Sequence, residues 1–130
     1  MTKEEHIAFW LTSADKEKDM MLFSFEGKRY VYALFFGHLY MEKILKSLWV
    51  KSHAENIPPK THNLIKLLDE TGIVLNDDDR SFLLLLNQYQ IESRYPDDIE
   101  QLYKITDGYT VEQYFLKIKS IEQCLLNNQQ

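Results

Sequence analysis

Three polar residues spaced four apart form the first group of side chains that could carry chemistry. His38, Glu42 and Lys46 interrupt an apolar stretch, and in a helix they share one face. The spacing alone favours a surface ion pair on the exposed side of that helix. The alternative is a polar cluster set into a groove, where it would reach a phosphate or a protein partner.

A metal site is a third interpretation of the same residues. A histidine and a glutamate four residues apart suit a divalent ion, and His62 is a candidate third ligand. Such pairs are common by chance, and the spacing fixes no third ligand. We therefore expect no metal and no cofactor.

A second group lies at Arg94-Tyr95-Pro96-Asp97, where the proline keeps Tyr95 out of the helical conformation. A rigid turn that presents an arginine and a carboxylate suits contact with an anion or a nucleotide. The structural alternative is that Arg94 caps the preceding helix and pairs with Asp97. The residues leave both alternatives open.

Other catalytic patterns are missing from the sequence. Its four glycines are isolated, so none forms a phosphate-binding loop, and no zinc or nucleophile motif occurs. Cys124 is the only cysteine, which excludes an intrachain disulfide and fits a reducing cytoplasm. The formal net charge of −5 is not the basic balance typical of nucleic-acid-binding proteins.

Helices must position these groups, because only 4 glycines and 3 prolines interrupt 130 residues. The sequence predicts one all-α domain over residues 1–130, an antiparallel up-and-down bundle of four long helices and one short helix. The predicted helices run over about Thr2 to Gly27, Lys28 to Ser52, His62 to Glu70 and Asp79 to Glu92, and the last starts at Thr110. We expect the polar tail from Asn127 to Gln130 to fray.

Helix caps support these boundaries. Thr2 with Glu5 and Thr110 with Gln113 each form a capping-box pattern. Thr61 is the expected cap of the short helix, and residues 76–78 offer caps for the fourth. The predicted core comprises Phe35, Leu39, Leu45, Leu48, Leu67, Leu85, Phe115 and Ile118.

The first half of the second helix is apolar nearly all round, from Tyr30 to Phe36. Such a helix is either central in a bundle or shared with a partner, and we expect a two-fold homodimer. The apolar stretch from Val31 to Val50 carries four ionisable side chains, so we do not expect it to span a membrane.

Three segments together resemble the HEPN domain family. Tyr30 to Leu48, which includes Glu42-Lys43-Ile44-Leu45-Lys46, resembles the family's second helix. Pro58 to Leu68, with Thr61-His62-Asn63-Leu64, resembles the segment that follows, and Tyr89 with Arg94 to Asp97 resembles a Y…R-Y-P-D turn. The segments follow the family's order across about Ala14 to Leu125.

The resemblance implies a helical bundle that typically dimerises and a minimal nucleotidyltransferase as its partner, the two often acting as an antitoxin and toxin pair. Some members are metal-independent RNases with an R-x4–6-H motif, and others are nucleotide- or substrate-binding subunits. In this sequence the histidine positions after Arg94 hold Ile99, Glu100 and Gln101, so the RNase motif is incomplete.

A binding protein is therefore the first functional hypothesis, with a nucleotide or RNA as its ligand. The resemblance carries over six polar residues as candidate ligand-binding groups: Glu42, Lys43, Lys46, His62, Arg94 and Asp97. The second hypothesis is a divergent RNase that uses Arg94, with His62 or Tyr103 in place of the missing histidine.

Overall fold

The computed structural model describes residues 1–127, and all regular secondary structure within them is helical. Six α-helices occur in this range: α1 (Lys3–Glu26), α2 (Tyr30–Ser52), α3 (Leu64–Thr71), α4 (Asp77–Leu86), α5 (Pro96–Ile105) and α6 (Gly108–Asn127). Two 3-10 segments, Asn87–Tyr89 and Ile91–Ser93, follow α4. The predicted all-α bundle is confirmed, and the predicted fraying beyond Asn127 falls outside the described residues.

The first two helices form an antiparallel hairpin, and a capping box begins the first of them. The Thr2 hydroxyl accepts a hydrogen bond from the Glu5 amide, and the Glu5 carboxylate accepts one from the Thr2 amide, both at 3.1 Å. This confirms the predicted capping box. Lys28, with φ of 59°, reverses the chain between the helices. At the far end of the hairpin, Lys3 Nζ donates to the carbonyl oxygen of Val50 at 2.7 Å.

The central element is α2, of which 16 of 23 residues are buried. Helices α1, α3 and α6 cover most of it, although Tyr32, in the apolar stretch that suggested a dimer, is 44% exposed. The homodimer stays a prediction. Among residues 1–127, no helix has both the length and the apolar character needed to cross a membrane.

Several predicted helix boundaries shift. The short helix α3 starts at Leu64 rather than His62, and Asn63 rather than Thr61 caps it by accepting hydrogen bonds from the amides of residues 65 and 66. Gly72 ends it with a left-handed φ of 77°. The fourth helix ends at Leu86 rather than Glu92, because the chain continues in the two 3-10 segments.

The helix α5 was not predicted at all. Pro96 is its first residue, and Tyr95 before it is extended, as the proline requires. The last helix starts at Gly108, and its cap also differs from the prediction. The Asp107 carboxylate, not a Thr110–Gln113 box, accepts the amide of Thr110 at 2.8 Å.

The predicted core is confirmed for most of its residues. Five of the eight predicted residues are buried: Phe35, Leu45, Leu48, Leu67 and Ile118. The other three, Leu39, Leu85 and Phe115, are only partly buried. Phe115 lies at the edge of the bundle, where its ring packs against Phe25 with a centroid separation of 5.4 Å.

Candidate functional site

Glu42 is the centre of a charged cluster in which its own side chain and that of Lys46 are almost completely buried. Its exposed fraction is 3%, and that of Lys46 is 7%. Lys46 Nζ donates to Glu42 Oε2 at 3.0 Å, and Nδ1 of His62 lies 2.9 Å from Glu42 Oε1. The expected surface ion pair on an exposed helix face is wrong, because this face of α2 is covered. From α1, the Trp10 ring lies 5.3 Å from Lys46 Nζ.

The cluster is stable because every charge in it has a partner. Removing a carboxylate or an ammonium from water costs several kcal/mol, and only close pairing with further hydrogen bonds offsets that penalty. Here the Lys46 ammonium pairs with one carboxylate oxygen of Glu42, and the His62 imidazole pairs with the other. The face of the Trp10 ring supplies a further favourable contact for the cation.

His38 anchors the backbone of the same site. Its Nε2 lies 2.9 Å from the carbonyl oxygen of His62, so Nε2 carries the proton and donates. Its Nδ1 faces Glu42 Oε1 at 3.9 Å and has no hydrogen-bond partner. Burial lowers the pKa of His38, and the neighbouring Glu42 carboxylate offsets this only in part. His38 is therefore neutral at physiological pH.

Two hydrogen bonds thus attach His62 to α2. His38 binds the main-chain carbonyl of His62, and Glu42 binds its ring. The His62 side chain itself is 58% exposed. It lines a groove of about 240 Å³ together with Asn63, Asn87, Gln90 and Ser93. The groove therefore combines a fixed imidazole at one wall with uncharged polar groups at the others.

The bond to Glu42 also sets the tautomer of His62. A carboxylate oxygen can only accept, so Nδ1 must carry a proton. The other nitrogen, Nε2, is then either a lone-pair acceptor in the neutral ring or a donor in the protonated ring. A carboxylate that orients an imidazole in this way is the arrangement that general bases use in enzymes.

The sequence profile of the HEPN domain matches residues 7–125. The chain belongs to the HEPN domain family. No curated protein and no solved structure matches it. The matched range contains the whole Glu42 cluster and the groove, so these lie within the HEPN domain itself.

The HEPN chain does not bring all six candidate ligand-binding residues together. Glu42, Lys46 and His62 meet in one cluster, whereas Lys43 Nζ pairs with Glu17 of α1 at 2.8 Å. Arg94 forms an ion pair with Asp98 at 3.7 Å. The alternative in which Arg94 pairs with Asp97 is therefore wrong.

Arg94 pairs with Asp98 rather than Asp97 because of where α5 begins. Arg94 and Asp98 are four residues apart at its start, the spacing at which two side chains meet, and Asp97 lies one position too early. The arginine Nε is buried and has no hydrogen-bond partner, so the side chain lies against the protein rather than extending into solvent.

Sequence reasoning missed part of this HEPN site. His38 was considered only as a helix neighbour and a candidate metal ligand, and the groove residues Asn87, Gln90 and Ser93 were not identified. Nothing in the local sequence marks these three, because they come from the 3-10 segments that were predicted as helix or turn. Within residues 1–127, no group of three or more histidine, cysteine or acidic side chains has a geometry that could hold a metal ion.

Proposed function

We propose that this HEPN protein binds an anionic ligand, the phosphate of a nucleotide, in the groove at His62. The observation that carries the proposal is the meeting of Glu42, Lys46 and His62, with only His62 open to the groove. A small polar groove beside a fixed imidazole suits hydrogen bonding to phosphate oxygens. Its volume is below the roughly 300–1,000 Å³ typical of small-molecule pockets, so it suits a phosphate group better than a whole nucleotide.

We further propose that the protein acts as the interaction partner of a minimal nucleotidyltransferase in the cytoplasm, in a pair of the toxin–antitoxin type. This part rests on the family resemblance. A small nucleotidyltransferase reading frame beside this gene, and co-purification of the two products, would support it. That neighbour alone does not separate a binding subunit from a toxic RNase.

The surface of α1 supports a protein contact. Phe9, Met20 and Phe23 lie on one side of this helix and are 55%, 43% and 63% exposed. Met20 and Phe23 are three residues apart and therefore adjacent, and adjacent exposed apolar side chains mark interaction sites more often than isolated ones do. We propose that the homodimer forms through this side of α1 rather than through α2. A monomer in light scattering at micromolar concentration would contradict the dimer.

Calorimetric titration tests the ligand site. We expect AMP, ADP or ATP to bind the wild-type protein, and His62→Ala to weaken that binding by about tenfold or more, the typical value of a hydrogen bond to a charged group. His53→Ala is the matched control, because that ring stacks on Trp49, with a centroid separation of 3.8 Å, and does not line the groove. An equal loss in both variants, or no binding to wild type, would refute the proposal.

A divergent RNase is the second candidate, and one observation favours it. Glu42 fixes His62 with Nε2 uncommitted, which is what a general base needs. Tyr103 is a poorer candidate, because partial burial and the adjacent Tyr32 raise the pKa of its phenol. Arg94 can stabilise a phosphate charge but cannot exchange a proton at neutral pH.

We predict that the purified protein does not cleave RNA at a rate attributable to Arg94. The measurement is single-turnover cleavage of a mixed RNA pool by wild type, Arg94→Ala and His62→Ala. Wild-type cleavage that falls about a hundredfold or more in either variant, the usual loss for a catalytic proton-transfer group, would show the non-catalytic interpretation to be wrong. Equal activity in all three proteins would indicate a contaminating nuclease.

A further inference from the structure

We infer that the groove holds a phosphate oxygen only while His62 carries a proton on Nε2, so that proton uptake and ligand binding are linked. This rests on the proposed function, because it specifies how the same groove recognises its anion. The argument depends on the charges of the buried cluster, on the tautomer of His62 and on the uncharged walls of the groove.

The first step is the charge of the cluster. Glu42 and Lys46 are paired at 3.0 Å and cancel each other, and both are buried. His38 is buried and donates through Nε2, while its Nδ1 has no proton donor to accept from. A second proton on His38 would have to enter a site with no exposure to water. Of the four side chains, His62 is therefore the one that can change the net charge.

The second step is where the added proton goes. Because Nδ1 of His62 already donates to Glu42 at 2.9 Å, the additional proton can only bind Nε2. In the neutral ring, Nε2 presents a lone pair, which repels an anionic oxygen. In the protonated ring the same atom is a charged donor, which binds that oxygen through a short and strong hydrogen bond. Protonation thus converts this atom from repelling the ligand to binding it.

The third step is that no other group replaces this charge. Asn87 is uncharged, and two of its hydrogen-bonding positions are occupied: Oδ1 accepts from the Leu64 amide and one Nδ2 hydrogen is donated to Asn63 Oδ1. Asn63 itself accepts the next two amides of α3. The first three amides of this helix are therefore occupied and are not offered to an anion.

The remaining neighbours do not supply a cation either, because the two lysines that flank His62 in the sequence, Lys60 and Lys66, are exposed and do not line the groove. Gln90 and Ser93 line the groove and do not titrate. The segment that carries them also holds Glu92, which is exposed, and leads to Arg94, which pairs with Asp98. From α1, the contact with the cluster is the uncharged Trp10 ring. Among the side chains that line the groove, His62 is therefore the one that can present a positive charge to an anion.

The test uses two probes whose own charge is constant between pH 5.5 and 8: sulfate and a dinucleoside monophosphate. A terminal phosphate is unsuitable because it titrates near pH 6 itself. We expect the affinity for both probes to fall as the pH rises from 5.5 to 8, because only the protonated fraction of His62 binds them. In proton NMR, saturating sulfate should move the titration midpoint of the His62 ring to higher pH, because linkage is reciprocal.

Two variants separate the outcomes. His62→Gln keeps a donor for Glu42 but cannot become charged, so we expect weak binding with no pH dependence. Circular dichroism checks that it folds, and the exposure of the side chain gives no reason for it to unfold. His53→Gln is the matched control and should behave as wild type.

Probe affinity in the wild type that does not change with pH, or an unmoved His62 midpoint, would overturn the inference. If a nucleotide nevertheless binds and His62→Ala weakens it, the proposed ligand site stands without the proton linkage. If neither the probes nor a nucleotide bind at pH 5.5 or 7.5, both proposals fail.

Discussion

The substitution Glu42→Gln should destabilise this protein far more than a typical single change. Glutamine has nearly the same shape as glutamate, but it removes the charge that balances Lys46, which is only 7% exposed. The ammonium would remain buried, with an amide oxygen and the Trp10 ring as its neighbours. His62 would lose its carboxylate acceptor at the same time.

The expected size follows from the burial. Breaking a buried ion pair by removing one partner costs about 3–5 kcal/mol. In a chain of this length, each kcal/mol lowers the melting temperature by roughly 4 °C, so we expect a decrease of about 12–20 °C. Thermal unfolding followed by circular dichroism, with urea unfolding at 25 °C as a second measurement, gives the value.

Two controls isolate the buried charge. The double variant Glu42→Leu with Lys46→Met removes both charges and should recover most of the lost stability, because the desolvation penalty disappears together with the attraction. Asp69→Asn removes an acid from the pair with Arg80, which lies at the surface, and should change the melting temperature little. If Glu42→Gln melts within about 4 °C of wild type, the buried pair does not contribute as argued here.

Three further predictions concern the helices around the site. Because burial lowers the pKa of His38, the unfolded state takes up the extra proton at a higher pH than the folded state does. The free energy of unfolding should therefore fall as the pH drops below the ordinary histidine pKa of 6.5, which urea midpoints at pH 7.5 and 5.0 would measure. An unchanged pH dependence in His38→Gln would contradict this. Asn63→Ala removes the cap of α3 and should cost about 1 kcal/mol in urea unfolding, whereas Thr61→Ala should cost less. Gly72→Ala places a Cβ in open space, but at a φ of 77° that disfavours side chains, so we expect the free energy of unfolding to fall by about 1–2 kcal/mol from backbone strain alone. An unchanged free energy of unfolding would contradict this.

The sequence predicts most helices because their signals are local. Thr2 and Glu5 are three residues apart, and Gly72 directly follows the helix that it ends. The helix α5 was not predicted, because Pro96 was interpreted as a residue that interrupts helical structure. The same residue is favoured at the first position of a helix, where no amide needs a partner. Its short apolar face, with Leu102 as its buried residue, gave too little periodicity to correct that interpretation.

The site was less predictable because it depends on distant contacts. Spacing places Glu42 and Lys46 on one face of a helix, but it does not reveal whether another helix covers that face. The residue of α1 that packs against Lys46 is Trp10, which lies more than thirty residues earlier in the chain. In the same way, the pairing of Arg94 with Asp98 rather than Asp97 follows from where α5 starts, which the local sequence did not reveal.

The double attachment of His62 to α2 has a consequence for how this protein can vary. Since both the main chain and the ring are fastened to one rigid helix, the position of the imidazole does not depend on the loop that delivers it. Ile57 in that loop is 72% exposed. Extra residues inserted at this exposed point, or even a proteolytic nick, would therefore leave the imidazole in place, because neither of its two attachments passes through the chain at Ile57.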